Sequence, residues 1–135
     1  MEIEMVTGRI AQNLEHLKRF TSTPNAGCTR LPFTKETRDA VDYLRKEMEE
    51  IGLEVKEDAA GNIYGILRGT DSSLPCVMTG SHIDSVLHGG NYDGIAGVVC
   101  SLEVARQIVE MGLEHRRNLV VIGFMDEEGM RFGTG

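Results

Sequence analysis

An α/β fold, specifically an α/β/α sandwich with a mixed, mainly parallel sheet, is predicted by three observations on this 135-residue sequence. Apolar residues recur at three- and four-residue steps in three segments, the pattern of amphipathic helices. Short apolar runs bounded by Gly, Pro, Asn and Asp lie between and after them, the pattern of strands. The last three elements run strand, helix, strand, a crossover that makes its two strands parallel neighbours.

Taken in order, residues 3–20 place Ile3, Val6, Ile10, Leu14 and Leu17 on one helical face. "TSTPNAGCTRLPFT" breaks that period with two Pro and one Gly and reads as a loop. Thr34 is suited to cap a second helix over 35–51, with Ala40, Val41, Leu44, Met48 and Ile51 as its buried stripe and Gly52 as its stop. "LEVKED" and "NIYGILRG" are strands joined through "AAGN", where Gly61 supplies the positive φ of a tight hairpin. "GTDSSLP" is a surface loop. "PCVMTGSH" is a third strand whose apolar run predicts burial on both faces. From Gly94 to Gly112 the helical spacing returns in Ile95, Val98, Val99, Leu102, Ala105, Ile108 and Val109, and "NLVVIGFM" is a fourth buried strand. There is no internal repeat, and the length suits one domain.

Composition narrows the function. Hydrophobic residues at 41% and charged residues at 26% describe a soluble, globular chain. A net charge of -7 argues against nucleic acid, which needs a basic stripe. Cys28, Cys76 and Cys100 are sparse and form no CxxC pair, as expected of reduced thiols rather than a disulfide framework or zinc ribbon. The acidic start "MEIEMVTGRI" lacks the pattern of a secretory signal, and "NLVVIGFM" is too short to cross a bilayer. The expected location is the cytoplasm, with no membrane partner.

Chemistry concentrates in "GSHIDSVLHGGNYDGIAGVV" and "MDEEGMRFG". His82 and Asp84 end the third strand, and Asp126, Glu127 and Glu128 follow the fourth. Parallel strands put both groups at one sheet edge, where open α/β sheets bind ligands. Residues i and i+2 of an extended segment face the same way, so Asp84 can accept a hydrogen bond from one His82 nitrogen and leave the other for a metal. Asp93 opens the following helix from a loop in which Gly89, Gly90 and Gly94 permit unusual backbone geometry; taken alone it is an N-cap candidate. The same glycines lack both nucleotide fingerprints, G-x-G-x-x-G and G-x-x-x-x-G-K-[ST]. Of Glu127 and Glu128, one can bind a metal while its neighbour faces the water as general base. Together His82, Asp93 and Glu128 are nitrogen and oxygen donors suited to Zn or Mn.

In that order, "GSHIDSV", "GGNYDG" and "DEEGMRFG" resemble the M20-type metallohydrolases, and "GCTRLPFTKET" and "DAAGNIYG" resemble their hydantoinase/carbamoylase branch. That branch contains N-carbamoyl-L-amino-acid hydrolases, allantoate amidohydrolases and β-ureidopropionases. The resemblance runs from about residue 27 to the last motif. It implies a zinc-aminopeptidase-like catalytic domain holding two divalent ions, Zn or Mn. His82 would bind one ion, Asp93 would bridge both and Glu128 would bind the second. Glu127 would be the general base and acid, and Asp84 would orient His82. The resemblance further implies a cis Asp93–Gly94 peptide and hydrolysis of a linear C–N bond in a small ureido substrate.

Members of that family carry two further His ligands and a lid domain that supplies substrate and dimer contacts, all expected beyond these residues. His16 and His115 read as surface residues, while His88 is placed to touch substrate. With about two protein ligands per ion, the isolated chain is expected to bind metal weakly or not at all and to be inactive. Uncovered apolar surface is expected to favour a homo-oligomer. The alternatives are a non-catalytic fragment acting as an oligomeric or partner-binding module, and an M20 aminopeptidase or acylase.

Overall fold

The structure, a computed structural model, describes residues 3–133, with side chains from Val6 onward. The side chain of Ile3, counted in the first predicted stripe, lies outside the described residues. The elements are α1 (Ile3–Leu17), α2 (Lys35–Ile51), β1 (Glu54–Glu57), β2 (Ile63–Leu67), β3 (Val77–His82), α3 (Ile95–Glu110) and β4 (Leu119–Phe124). All seven predicted elements are present.

Local chemistry explains their limits. Thr34 caps α2 by accepting from the Thr37 N–H, and Gly52 ends it at φ 94, a left-handed conformation suited to glycine. Gly61 turns the β1–β2 hairpin at φ 87. α1 stops at Leu17, short of the expected residue 20, because Arg19 and Phe20 tighten into bonds to His16 O and Leu17 O.

The four strands lie in the order β1-β2-β4-β3. β1 and β2 are antiparallel, as are β2 and β4, while β3 and β4 are parallel with His82 opposite Phe124. The sheet is mixed, as expected, but two of its three pairings are antiparallel, so it is not mainly parallel. The crossover through α3 supplies the parallel pair; the hairpin strand β2 then joins β4 in the opposite sense.

α2 and α3 share one face of the sheet. Met48 of α2 lies over Gly65, and Ser101 of α3 bonds Thr79 at 2.9 Å. Between helices and sheet lies the core, with Leu44, Met48, Ile63, Ile83, Ile95, Val98, Leu102 and Val121. α1 docks against it through Leu17 and is tied to α3 by Arg9 and the buried Glu103, at 3.1 Å. The predicted α2 stripe is buried throughout; in α3, Val109 on the last turn is exposed, since no described element lies over it.

The second helical layer of the expected sandwich is not among the described elements; on that face Met78 and Phe124 are exposed while Val120 and Ile122 are buried. This corrects the reading of β3. It is an edge strand with Val77 and Met78 about half exposed, not a strand buried on both faces. An apolar run reports hydrophobicity and carries no information on sheet position.

Candidate metal centre

The parallel β3–β4 pair brings the two motifs together at the carboxyl ends of both strands. Beyond His82 the ladder continues, with Ile83 N–H donating to Phe124 O at 3.0 Å. His82 is buried, and its Nδ1 lies 3.0 Å from the main-chain oxygen of Asp84. A carbonyl only accepts, so Nδ1 carries the proton and Nε2 keeps a lone pair. That nitrogen points at the carboxylates, 3.6 Å from Glu127 Oε2 and 4.0 Å from Asp93 Oδ1. One ligand atom each from His82, Asp93 and Glu128 lies within 4.8 Å of the others. The geometry therefore brings together the three residues expected as ligands.

Asp84 is arranged differently from the expectation. Its main-chain oxygen, not its carboxylate, takes the close His82 contact; Oδ1 is 3.8 Å from Nδ1. The carboxylate, fully buried, accepts instead from the Glu127 N–H at 3.2 Å and the Glu128 N–H at 3.3 Å. It fixes the backbone carrying both glutamates. Alternation along a strand predicts which way a side chain faces, but not a partner donated by another loop.

Asp93 does not cap α3. Gly94 occupies the N-cap without a side-chain cap bond, leaving the Asp93 side chain 66% exposed and able to take a ligand. The Asp93–Gly94 peptide is trans, as are all described peptide bonds, against the expectation of cis. The turn is made by Gly94 itself, at φ 68 and ψ −58. A Cβ at Gly94 would stand 2.4 Å from the His82 ring, so glycine leaves the space that the imidazole fills.

Burial raises the Glu128 carboxyl above its ordinary range; a proton on His82 Nε2 would oppose this, while Asp93, through its charge and a hydrogen bond, and Glu127 add to it. Carboxyls crowded this closely favour either a shared proton or a cation between them. The donor set of one imidazole nitrogen and carboxylate oxygens fits Zn or Mn.

Three residues that position the site had no assignable role in the sequence. Asn62 accepts the Met125 N–H on Oδ1 at 2.8 Å, anchoring the end of β4 to the hairpin. Asp126, at φ 60 and buried, folds the loop after the glutamates by accepting the N–H groups of Arg131 and Phe132, both at 3.0 Å. Arg30 is buried beside Ile83. All three fall in the family-like segments "GCTRLPFTKET", "DAAGNIYG" and "DEEGMRFG", which was the available signal. His88, at φ 52, has Nδ1 2.7 Å from Ala26 O and is tied to the 26–29 loop, outside the cluster of three.

Fold and site together define an open-sheet α/β protein with a metal-competent imidazole–carboxylate cluster at its strand ends. The sequence model of Peptidase family M28 matches residues 62–134, more than half of the chain, and the chain belongs to that family. The matching model is M28 rather than M20, and the relatives fall in the branch expected from the motifs. The chain is 46% identical over 127 residues to the N-carbamoyl-L-amino-acid amidohydrolase of Paenarthrobacter aurescens, covering 94% of this chain and 31% of that protein. It is 38% identical to the allantoate amidohydrolase of Bacillus subtilis, again over 94% of this chain and 31% of that protein. The crystal structure of a hydantoinase/carbamoylase family amidase from Burkholderia ambifaria superimposes with a TM-score of 0.87 at 32% identity, over 92% of this chain and 30% of that one. The chain thus spans about a third of the length of the curated relatives it matches.

Proposed function

We propose that this chain contributes His82, Asp93 and Glu128 to the centre of a dimetal amidohydrolase. The reaction is hydrolysis of a linear C–N bond in an N-carbamoyl amino acid or allantoate. The observation that carries the reading is the convergence of those three ligand atoms within 4.8 Å, next to a third carboxylate, Glu127, that is not needed to complete the cluster.

When bound, the two divalent ions supply carbonyl polarisation and an acidified water. The chain's own residues do the rest. His82 presents Nε2 because its other nitrogen is held by Asp84 O. Asp93, 4.0 Å from His82 Nε2 and hydrogen-bonded to Glu128, would be the carboxylate shared by the two ions. Glu127, half exposed beside the cluster, takes the proton of the attacking water and returns it to the leaving nitrogen. Asp84 keeps Glu127 and Glu128 in register from beneath. His88, with Nδ1 engaged, has Nε2 left to contact substrate.

The test is a chimera in which residues 1–135 replace the matching segment of the Paenarthrobacter aurescens relative. Ammonia release from an N-carbamoyl-L-amino acid is expected with Zn or Mn added. A chimera that folds and binds metal but cleaves only dipeptides would favour the peptidase reading that the family's name suggests. A chimera that folds but binds no metal would overturn both.

A further inference from the structure

Arg30 is 2% exposed, an unusual place for a guanidinium, and its three described side-chain hydrogen bonds all end on main-chain carbonyls. Nε donates to Ile83 O at 2.8 Å; Nη1 donates to Leu17 O at 3.0 Å and Phe20 O at 3.2 Å. The fork thus joins the carboxyl end of α1, where a cation is favourable, to the segment beyond β3. The main chain of Arg30 grips the same segment, since its N–H donates to Ser85 Oγ at 2.8 Å and its carbonyl accepts from Ser85 N–H at 3.0 Å. Ile83 and Ser85 are the two neighbours of Asp84. Asp84 in turn holds His82 through its carbonyl, and Glu127 and Glu128 through its carboxylate.

We propose that Arg30 is a positioning residue: by clamping Ile83 and Ser85 it sets Asp84, and through Asp84 the backbone of both glutamates and the His82 ring. The extension from backbone to metal rests on the reading of His82, Asp93 and Glu128 as ligands. Burial lowers the Arg30 pKa, and the neighbouring Cys28 and Asp84 oppose this only in part, so the carbonyl contacts of the fork are what hold the side chain in place. Lysine is a poor replacement, because a single ammonium at the end of a flexible stem cannot hold Ile83 O and Leu17 O together as a planar fork does.

Amide hydrogen exchange on the metal-free chain, compared between wild type and Arg30→Lys, tests the clamp directly. The Ser85, Glu127 and Glu128 amides are expected to exchange about tenfold faster in the variant, with the β1–β2 amides unchanged. Unchanged exchange at those three amides, or uniform acceleration along the chain, would overturn the proposal. Should Arg30→Lys not fold, Ser85→Ala loosens the same clamp with the guanidinium in place. Faster exchange at Glu127 and Glu128 is then expected, and normal exchange there overturns it. Zinc titration separates the two claims. A roughly tenfold weaker affinity in Arg30→Lys, with binding lost in His82→Ala, extends the role to the centre. The titration is run on the chimera, which supplies the downstream ligands; no His82-dependent zinc binding there would sink the metal reading while leaving the clamp standing.

Discussion

At the scale of single residues, the site is defined as much by what is small as by what is charged. The His82 ring occupies the volume that any side chain at position 94 would need. Gly94→Ala is therefore expected to displace the imidazole from the carboxylates and to abolish zinc binding in a calorimetric titration. Forcing alanine into φ 68 adds a stability loss of about 1–3 kcal/mol, readable as a lowered unfolding midpoint. Unaltered zinc binding in that variant would mean that His82 is not a ligand. Glu127 makes a different prediction: in the chimera, Glu127→Gln should leave metal content intact and lower turnover by about 10²–10⁴. The convergence of His82, Asp93 and Glu128 was legible in the sequence because strand alternation and the parallel crossover place both motifs at one sheet edge. The roles of Asp84, Asn62 and Arg30 were not, because each is defined by a backbone group donated from a distant segment, which spacing does not encode.

At the scale of elements, the β1–β2 hairpin reaches the site through Asn62. Asp58 organises that turn by accepting the Asn62 side-chain amide at 2.9 Å, the Tyr64 hydroxyl at 2.8 Å and the N–H groups of Ala60 and Asn62, both at 3.0 Å. These bonds, that from the Asn62 side chain first, hold its carboxyl below the ordinary range. A carboxyl depressed in the folded state contributes stability above its unfolded pKa of about 3.9, and that stability is lost as pH falls through the folded value. The chain should accordingly weaken to urea as pH drops below about 4. Asp58→Asn should be less stable at neutral pH and flatter across the acid range. A variant with the wild-type pH profile would show that the turn bonds do not depend on charge. Helices and hairpin were readable from caps and glycines. The edge position of β3 was not, since strand order is set by pairing with β4, a partner 42 residues further along the register at Val77↔Leu119.

At the scale of the whole molecule, one face of the sheet carries no described helix. Met78, Thr79, Gly80, Ile122 and Phe124 line a groove of about 450 Å³ there, beside the free edge of β3. We propose that the homo-oligomer expected from uncovered apolar surface forms through this face, with a second copy covering Met78 and Phe124. Sedimentation velocity should then show mass rising with concentration, and Met78→Lys with Phe124→Lys should shift the distribution toward monomer. A chain that stays monomeric throughout would contradict the proposal. Among the described residues no helix is long and apolar enough to cross a membrane.

Metal held by His82, Asp93 and Glu128 is the central expectation. Anomalous diffraction at the zinc edge, from crystals of the chimera equilibrated with zinc, measures it directly. The predicted result is two peaks, one at about 2.0–2.1 Å from His82 Nε2 and the other at about 2.0–2.2 Å from a Glu128 carboxylate oxygen, with Asp93 oxygens at about 2.0–2.2 Å from both. A saturated crystal with zinc only on other residues, or with none, would contradict the account.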